Sequence, residues 1–541
     1  MRRAALLIAL VTGGWLAAPD VRAEGYQLLW TATYDGPAHR DDHAEDIALD
    51  PAGNVFVAGW TDRSDIGEDL NILVLKYSPT GTLLWTRTHN SFPGGMDLGF
   101  GIAVDSGGNC YVAGSVSITG GASEGWLRKY DTNGNVLWTL EYPSPSAGDQ
   151  AVFRDVAVDE AGGNLYVAGC QGRGDLLQSG NALLVKVPMG GGVPVWAVDA
   201  DGHGLWDEFL SVAVAPNGDV LVTGYEGVLD LFGIMAAYWP AIIVRTSSMY
   251  NPTLLSIDED LVVCRYGPSG SPVWRRTYGS LNDIPLSRYT WDSGYGVSSG
   301  HGDSVVVSGT VARIGNGLAN FDRLVRAWSG DGNSVLWTRM IDKGEGTYMT
   351  DAGFRCATGP DGRVLVAGYT AMTDSYRFGV LTLEQFDPSS GFTIHEDGYS
   401  GGYFLVDEGR SVAVDSSGGY VMAAIQYRTD LTQGYDALIR RWSGPAVPAQ
   451  TAGRIVAYPN PFDPGKAVGG VFKFANLPPR ANVRIWSLAG LLVSRVEVRG
   501  AGAAWDGRTG NGSPAAPGMY YYTVEAPGAK RVTGIVAVVR P

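Results

Sequence analysis

The chain has 541 residues, enough for three or four average domains or for one large repeat architecture with something smaller attached. Lys and Arg number 40 against 55 Asp and Glu, a net charge of −15 that argues against a general nucleic-acid binder with its basic face. The 76 glycines are about twice average usage, only 18% of residues are charged, and 16 Trp and 26 Tyr complete a composition suited to many strands and tight turns.

The first element in chain order reads as a targeting signal. Arg2 and Arg3 precede an apolar run from Ala4 to Ala18 broken by glycines, and Val21, Arg22 and Ala23 follow. The run is short for a membrane span and ends in a small-x-small cleavage site, which predicts a signal peptide over residues 1–23 and a mature chain opening at Glu24. The competing reading is an uncleaved anchor; the mature chain itself carries no segment that reads as a transmembrane helix. Export permits disulfides, but Cys110, Cys170, Cys264 and Cys356 lie scattered without metal-ligand spacing and predict buried free thiols.

A repeat then fills most of the chain. The phrase Val55 to Gly59 returns as Cys110 to Gly114, Leu165 to Gly169, Leu221 to Gly224, Val305 to Gly309, Leu365 to Gly368 and, degenerately, Val421 to Ala424, with a mean period of about 61 residues. Four phrases recur in fixed order, each with the alternation or short apolar run of a strand. The first is small, apolar, small, apolar, Asp, as in Ile47 to Asp50 and Ile102 to Asp105. The second is the phrase above, reached through a turn such as Asp50 to Asn54. The third is an apolar run ending in a base and an aromatic, as in Ile72 to Tyr77. The fourth carries Trp30, Trp85, Trp138, Trp196, Trp274 or Trp337, with His395 in the seventh slot. Four strands in each of seven repeats predict an all-β fold, a seven-bladed β-propeller over residues 24–445. The chain enters with a fourth-type strand, Leu28 to Tyr34, and leaves with a third-type strand, Asp436 to Trp442, so pairing the two closes the ring without an exposed edge. Segments such as DIALDPAGNVFVAGWT and ILVLKYSPTGTLLW resemble the SBBP repeats of secreted bacterial proteins. That resemblance covers about Leu28 to Pro445; it implies the fold and export, and no catalytic residues.

Residues 446–454 fall in a linker rich in small residues and proline, and residues 455–541 change texture. YPNPF from Tyr458, WSLAGLLV, WDGRTGNG from Trp505 to Gly512 and PGMYYYTV from Pro517 to Val524 alternate like the strands of a small β-sandwich. They resemble the C-terminal Ig-like domain of flagellar hook-capping proteins and of type A sorting domains in type IX secretion. The resemblance implies a packed turn at Trp505, Asp506 and Gly507 and a role in secretion or surface attachment. The lysine-rich ending usual for the sorting signal is replaced here by GIVAVVRP.

Connections from the second to the third strand, and from the outer strand to the next inner strand, vary greatly in length and share one face of a propeller, where binding is expected. The longest, Val228 to Asp258, carries the apolar stretch Leu231 to Val244; its Leu231, Phe232, Tyr238 and Trp239 are candidate partner contacts if the stretch does not fold down as a lid on its own blade. Seventeen residues before each glycine anchor stand Asp42, Asp97, Asp207, Asp292, Asp351 and Asp407, with Val152 in the third repeat. Six carboxylates at a channel mouth suit a cation such as calcium or a basic ligand; alternatively, each caps backbone N–H groups in its own loop. His39, Asp41, Asp42 and His43 crowd one loop in a second, weaker metal pattern. The turns from Tyr130 to Trp138 and Ser329 to Trp337 approximate sialidase Asp boxes, which are structural. No catalytic triad or phosphate-cradling loop can be assembled, and no cofactor is implied.

The sequence reading is therefore an exported, monomeric, non-enzymatic binding or scaffold protein at the bacterial surface. Its partners would be a protein or glycan, with secretion machinery engaged through residues 455–541 and no nucleic acid. The alternative is a polysaccharide hydrolase or lyase using channel-mouth carboxylates, which would break the repeat with unique polar residues converging on the channel.

Overall fold

The structure is a computed structural model that describes residues 26–541 except 120, 147, 173–179, 202–206, 230–256, 280–288, 316–317, 343–350, 372–378, 400–406, 428–433, 445–455, 459–461, 466–470, 476, 478–480, 489, 497, 500–501, 526–530 and 541. The chain divides into two compact units, Met1–Pro445 and Ala446–Pro541. Both are all-β. Among the described residues no helix is long and apolar enough to cross a membrane.

In the first unit the four recurring phrases become four strands joined as antiparallel neighbours. Asp42–Leu49, Val55–Asp62, Leu70–Tyr77 and Leu83–His89 form the first such module, paired in chain order. Its first strand is amphipathic while the second and third are buried along most of their length, as expected for strands with a sheet packed on either face. Each later module repeats the order, the fourth adding Tyr289–Trp291 in parallel beside Ile257–Tyr266, and the second and third are linked by a single parallel pair, Gln150 with Ser123. The last sheet is assembled from both ends of the unit: Leu28–Tyr34 pairs antiparallel with Tyr435–Trp442, beside Tyr420–Tyr427 and Glu408–Val414. The strands that open the modules are Asp42–Leu49, Leu98–Val104, Gln150–Asp159, Asp207–Val214, Ser293–Ser299, Asp351–Thr358 and Glu408–Val414. Each contacts the next, and the last contacts the first. This closed cycle of four-stranded sheets is consistent with a β-propeller.

Two devices explain the repeated residues. The glycine ending the second phrase sits opposite the opening strand, and a Cβ there would stand 1.8 Å from the His43 carbonyl oxygen at Gly59, 1.9 Å from that of Val152 at Gly169 and 1.8 Å from that of Glu208 at Gly224. At these three positions the approach leaves no room for a side chain, whereas the seventh module carries Ala424 at the equivalent place, opposite Gly409. Where an outer strand carries a tryptophan it reaches the next module, where its Nε1–H donates to a turn carbonyl: Trp30 to Pro79 at 2.9 Å, Trp85 to Thr132 at 3.1 Å, Trp274 to Gly330 at 2.8 Å and Trp337 to Pro388 at 2.9 Å. The indole covers a turn glycine at positive φ, as at Gly81 and Gly391, so no larger residue fits beneath it. Apolar cores then form between neighbouring sheets; Ile47, Val57 and Leu75 of the first module, for example, share a cluster with Val421 and Ile439 of the last.

All four cysteines are buried free thiols in separate strands. Burial pushes Cys110 and Cys264 up to about 12.

The second unit holds two four-stranded sheets, one containing Phe472–Ala475 and Gly502–Trp505, the other Asn482–Ser487 and Gly518–Glu525. They share one core around Phe462, Phe472, Phe474, Ile485, Trp505 and Val536. Trp505 is buried and donates to the Arg508 carbonyl at 2.6 Å, Asp506 accepts the Arg508 N–H at 2.9 Å, and Gly507 takes φ 72° against Phe462.

Candidate functional site at the bulges of the opening strands

Among the described residues, each of the opening strands named above carries a β-bulge at the same place. The register slips between Ala44 and Asp46, Gly99 and Gly101, Phe153 and Asp155, Phe209 and Ser211, Gly294 and Gly296, Gly353 and Cys356, and Gly409 and Ser411. The extra residue of a bulge is re-aimed out of the ladder. Here those residues are Glu45, Phe100, Arg154, Leu210, Tyr295, Phe354 and Arg410, all half-buried. Where the rest of the strand repeats, this position differs almost everywhere.

The bulge residues meet one another. The Arg154 guanidinium lies 4.4 Å from the Phe100 ring centre and that of Arg410 4.8 Å from Phe354, whose ring meets Tyr295 edge-on at 5.4 Å. Arg410 also pairs with Glu408 at 2.9 Å and with Glu45 at 3.9 Å, and Arg154 pairs with Glu208 at 2.5 Å. Tyr225 donates to the other Glu208 oxygen at 2.9 Å. Burial works against the charge on Glu45, yet Arg410 and a bond to His43 hold it at about 2. His43 stacks on Trp60 with ring centres 3.8 Å apart.

The residue after the bulge is glycine in two strands, Gly101 and Gly296, and in the others, Asp46, Asp155, Ser211, Arg355 and Ser411, it joins a layer of hydrogen bonds. Asp155 accepts from Val156 N, Val212 N and Ser211 Oγ at 2.8–2.9 Å and is paired with Arg355, which reaches it from two hundred residues away and also donates to the Arg154 carbonyl at 3.3 Å. Asp46 accepts from Ile47 N at 2.9 Å, Ile102 N at 2.8 Å and Ser411 Oγ at 2.6 Å. Burial pushes the Asp46 carboxyl up to about 6, lowered somewhat by Arg355 and raised again by Asp155.

Of the residues singled out by sequence, Asp42, Asp97, Asp207, Asp292, Asp351 and Asp407 are all buried, at or just before the start of an opening strand. Four of them accept the backbone N–H of the residue twenty positions on, in the last part of the second strand: Ser117 to Asp97 at 2.9 Å, Gly227 to Asp207 at 3.0 Å, Ala312 to Asp292 at 2.5 Å and Tyr427 to Asp407 at 3.0 Å. Asp97 takes Ser91 Oγ as well, at 2.8 Å. Among the described residues, Asp42 is the member of this set that falls in a group of three acids close enough to share an ion, with Asp35 and Asp436. The third repeat needs a correction: its turn is one residue longer, and the register places Ala151, opposite Gln171, where Asp42 stands opposite Thr61. The crowded loop also separates, with His39 bonding Asp35 at 2.7 Å, Asp41 accepting Tyr435 N at 3.0 Å and His43 turning toward Glu45. Leu231, Phe232, Tyr238 and Trp239 lie outside the described residues.

The bulge residues and Asp46, Asp155 and Arg355 were not anticipated. The signal available was the variable position immediately ahead of an otherwise repeating first phrase.

No family model matches the chain, and no curated protein matches it. Among solved structures it is similar to PorZ, described as an essential surface component of the type IX secretion system of Porphyromonas gingivalis, at 14% identity and TM-score 0.39. The match covers 94% of this chain and 60% of that one, so the chain spans about three-fifths of the length of that protein. It is also similar to a protein of unknown function from Dyadobacter fermentans, at 11% identity and TM-score 0.39, covering 77% and 99% of the two chains. A third likeness is to XC5397 of Xanthomonas campestris, described as a gluconolactonase, at 12% identity and TM-score 0.32, covering 78% and 99%.

Proposed function

We propose that this is an exported binding protein of the bacterial surface, a seven-bladed β-propeller over residues 24–445 whose bulge residues bind a glycan. The observation that carries this reading is the half-buried bulge residues, which meet in two groups: Phe100 against Arg154, itself ion-paired with the buried Glu208, and Tyr295 against Phe354 beside the ion-paired Arg410 and Glu45. Aromatic faces beside a few fixed polar groups are the usual anatomy of a small-ligand site. A sugar offers the matching chemistry, C–H faces for the rings and hydroxyls for the charged groups. The opening strands begin on the face of the variable connections, so the ring and those connections would serve one binding face. Residues 1–23 act as a signal peptide, and residues 455–541 form an Ig-like domain serving secretion or attachment.

A second reading, a polysaccharide hydrolase or lyase, has one observation in its favour. Asp46, pushed up to about 6 close to Asp155, has the unlike environment of a general acid. Its oxygens already accept three hydrogen bonds, which supports the binding reading over this one.

The test is a thermal-shift screen of the full mature chain against neutral and acidic oligosaccharides, because a ligand of the native state raises Tm. A stabilising oligosaccharide recovered unchanged after prolonged incubation supports binding, and its conversion to shorter or unsaturated products moves the reading to the enzyme. No stabilisation by any member of the panel refutes the glycan.

A further inference from the structure

We propose that a small organic amine binds in a cavity between the third and fourth modules. Its compact apolar body takes the place of a side chain that the other junctions supply, and its ammonium group meets Asp207 and Glu226. The cavity, of about 60 Å³, has room for about four waters or one compact organic group. Its walls include Ala182 and Ala200 of the third module and Phe209, Val262 and Cys264 of the fourth. Ala200 ends the outer strand Trp196–Ala200 and pairs with Ala182 of Gly180–Pro188.

The sibling modules show what this junction lacks. At the place of Ala200, four residues after the tryptophan or its slot, they carry His89, Tyr142, Tyr278, Ile341, Tyr399 and, in the sheet closed by the chain ends, Tyr34. Three of these side chains are seen to face the module ahead. His89 stacks on Trp126 with ring centres 5.2 Å apart, Tyr142 lies 5.4 Å from Phe153, and the Arg326 guanidinium lies 4.0 Å from the Tyr278 ring centre. Trp126, Phe153 and Arg326 hold the register positions of Val262, Phe209 and Cys264, which line the cavity. The void therefore lies where the siblings keep a ring, and a pair of alanines leaves it open. Unfilled space between packed sheets forfeits contacts that a ligand can restore.

The polar wall is also particular to this junction. Glu226 stands directly opposite Asp207, and the two residues are 3% and 2% exposed. In the other modules the same place, two residues after the glycine anchor or Ala424, holds Thr61, Val116, Gln171, Val311, Thr370 and Gln426, none of them charged. Arg275 pairs with Glu226 from a position where Thr31, Thr86, Thr139 and Thr338 stand in four siblings. One guanidinium thus faces two buried carboxylates, with the exposed Asp201 also on the lining. Like charges directly opposite in a sheet are destabilising, so this wall favours a second cation. An ammonium supplies it, and Arg275, with its side chain 45% exposed, can turn aside to admit one. The proposal rests on residues other than those of the bulges and stands or falls without the glycan.

The experiment is an NMR titration of the full mature chain with n-butylamine, benzylamine and cadaverine, beside butanol, benzyl alcohol and butyrate as neutral and anionic counterparts. At least one amine should bind at one site per chain, about tenfold or more tighter than its alcohol, and butyrate should not bind. Nα-acetyl-lysine methylamide separates the two sources of the same chemistry: binding as tight as butylamine assigns the site to a lysine side chain, and no binding assigns it to a free amine. Ala200→Tyr, which restores the sibling side chain, should abolish amine binding while the chain still unfolds cooperatively. Glu226→Gln, which copies Gln171 and Gln426, should weaken the amine by about tenfold or more and leave the alcohol unchanged. If Ala200→Tyr fails to fold, Glu226→Gln decides. No binding of any amine to wild type, an alcohol that binds as tightly as its amine, or amine binding unchanged in either folded variant would overturn the proposal.

Discussion

Replacing Arg355 with Leu removes the positive charge that faces two buried carboxylates, and its effect can be worked from the structure. The Arg355 side chain is 15% exposed, Asp155 is 7% exposed, and Arg355 also lowers the pKa of Asp46. Taking one partner from a buried pair leaves uncompensated charge and costs about 3–5 kcal/mol. The three other donors to Asp155 place the expected loss near the lower figure, a fall in Tm of about 3–6 °C for a unit this large. The loss depends on pH with a definite sign. A carboxyl whose folded pKa lies above its unfolded one contributes stability that is full below the unfolded pKa and lost as pH rises through the folded pKa. Asp46 already behaves so, with its folded value at about 6, and losing Arg355 raises it further. The variant should therefore trail wild type most at about pH 8 and least at about pH 5.5, both above the isoelectric point of about 4.9 where solubility fails. Scanning calorimetry of both proteins at the two pH values is the assay, and Arg355→Leu/Asp155→Asn should recover part of the loss. A Tm deficit equal or larger at the lower pH, or none at either, would refute the reasoning.

Gly169→Ala should destabilise the first unit by at least about 1–3 kcal/mol, because the new Cβ meets the Val152 carbonyl oxygen, whereas Ala424→Gly should cost no more than about 1 kcal/mol; thermal unfolding of both variants checks the contrast. The four buried thiols, with Cys110 and Cys264 pushed up to about 12, should resist iodoacetamide in the native protein and all react in denaturant; fast native alkylation would contradict their burial. If residues 455–541 act in sorting as proposed, removing them should abolish display of the chain on the cell surface while Tm of the first unit stays unchanged, and display that persists would remove that role.

The strands of the first unit were legible because each phrase carries its own physical constraint. Gly59 and its counterparts are held to glycine by a carbonyl that approaches their Cα, and Trp30, Trp85 and their counterparts by a turn in the following module. The His395 slot follows from the same rule: the last sheet joins its third and fourth strands from opposite chain ends, so no hairpin turn stands there for a tryptophan to cover. The recurring Asp was legible as a repeated residue, but counting from the glycine missed Ala151 because one turn gained a residue. The candidate site was illegible for the opposite reason. Self-similarity finds what is the same in every module, while Glu45, Phe100, Arg154, Leu210, Tyr295, Phe354 and Arg410 share only a position. A bulge leaves no mark in the apolar alternation except a residue out of phase, and partners such as Arg355 and Asp155, two hundred residues apart, meet only when the cycle closes.

The most direct test of the glycan-binding ring is saturation-transfer NMR of the full mature chain with a mixed oligosaccharide panel, run beside the triple variant Phe100→Ala/Tyr295→Ala/Phe354→Ala. The account predicts transfer to the sugar C–H protons with wild type and its loss in the variant, with the melting profile of the variant still cooperative. Equal transfer in both proteins, or none with wild type, would contradict it.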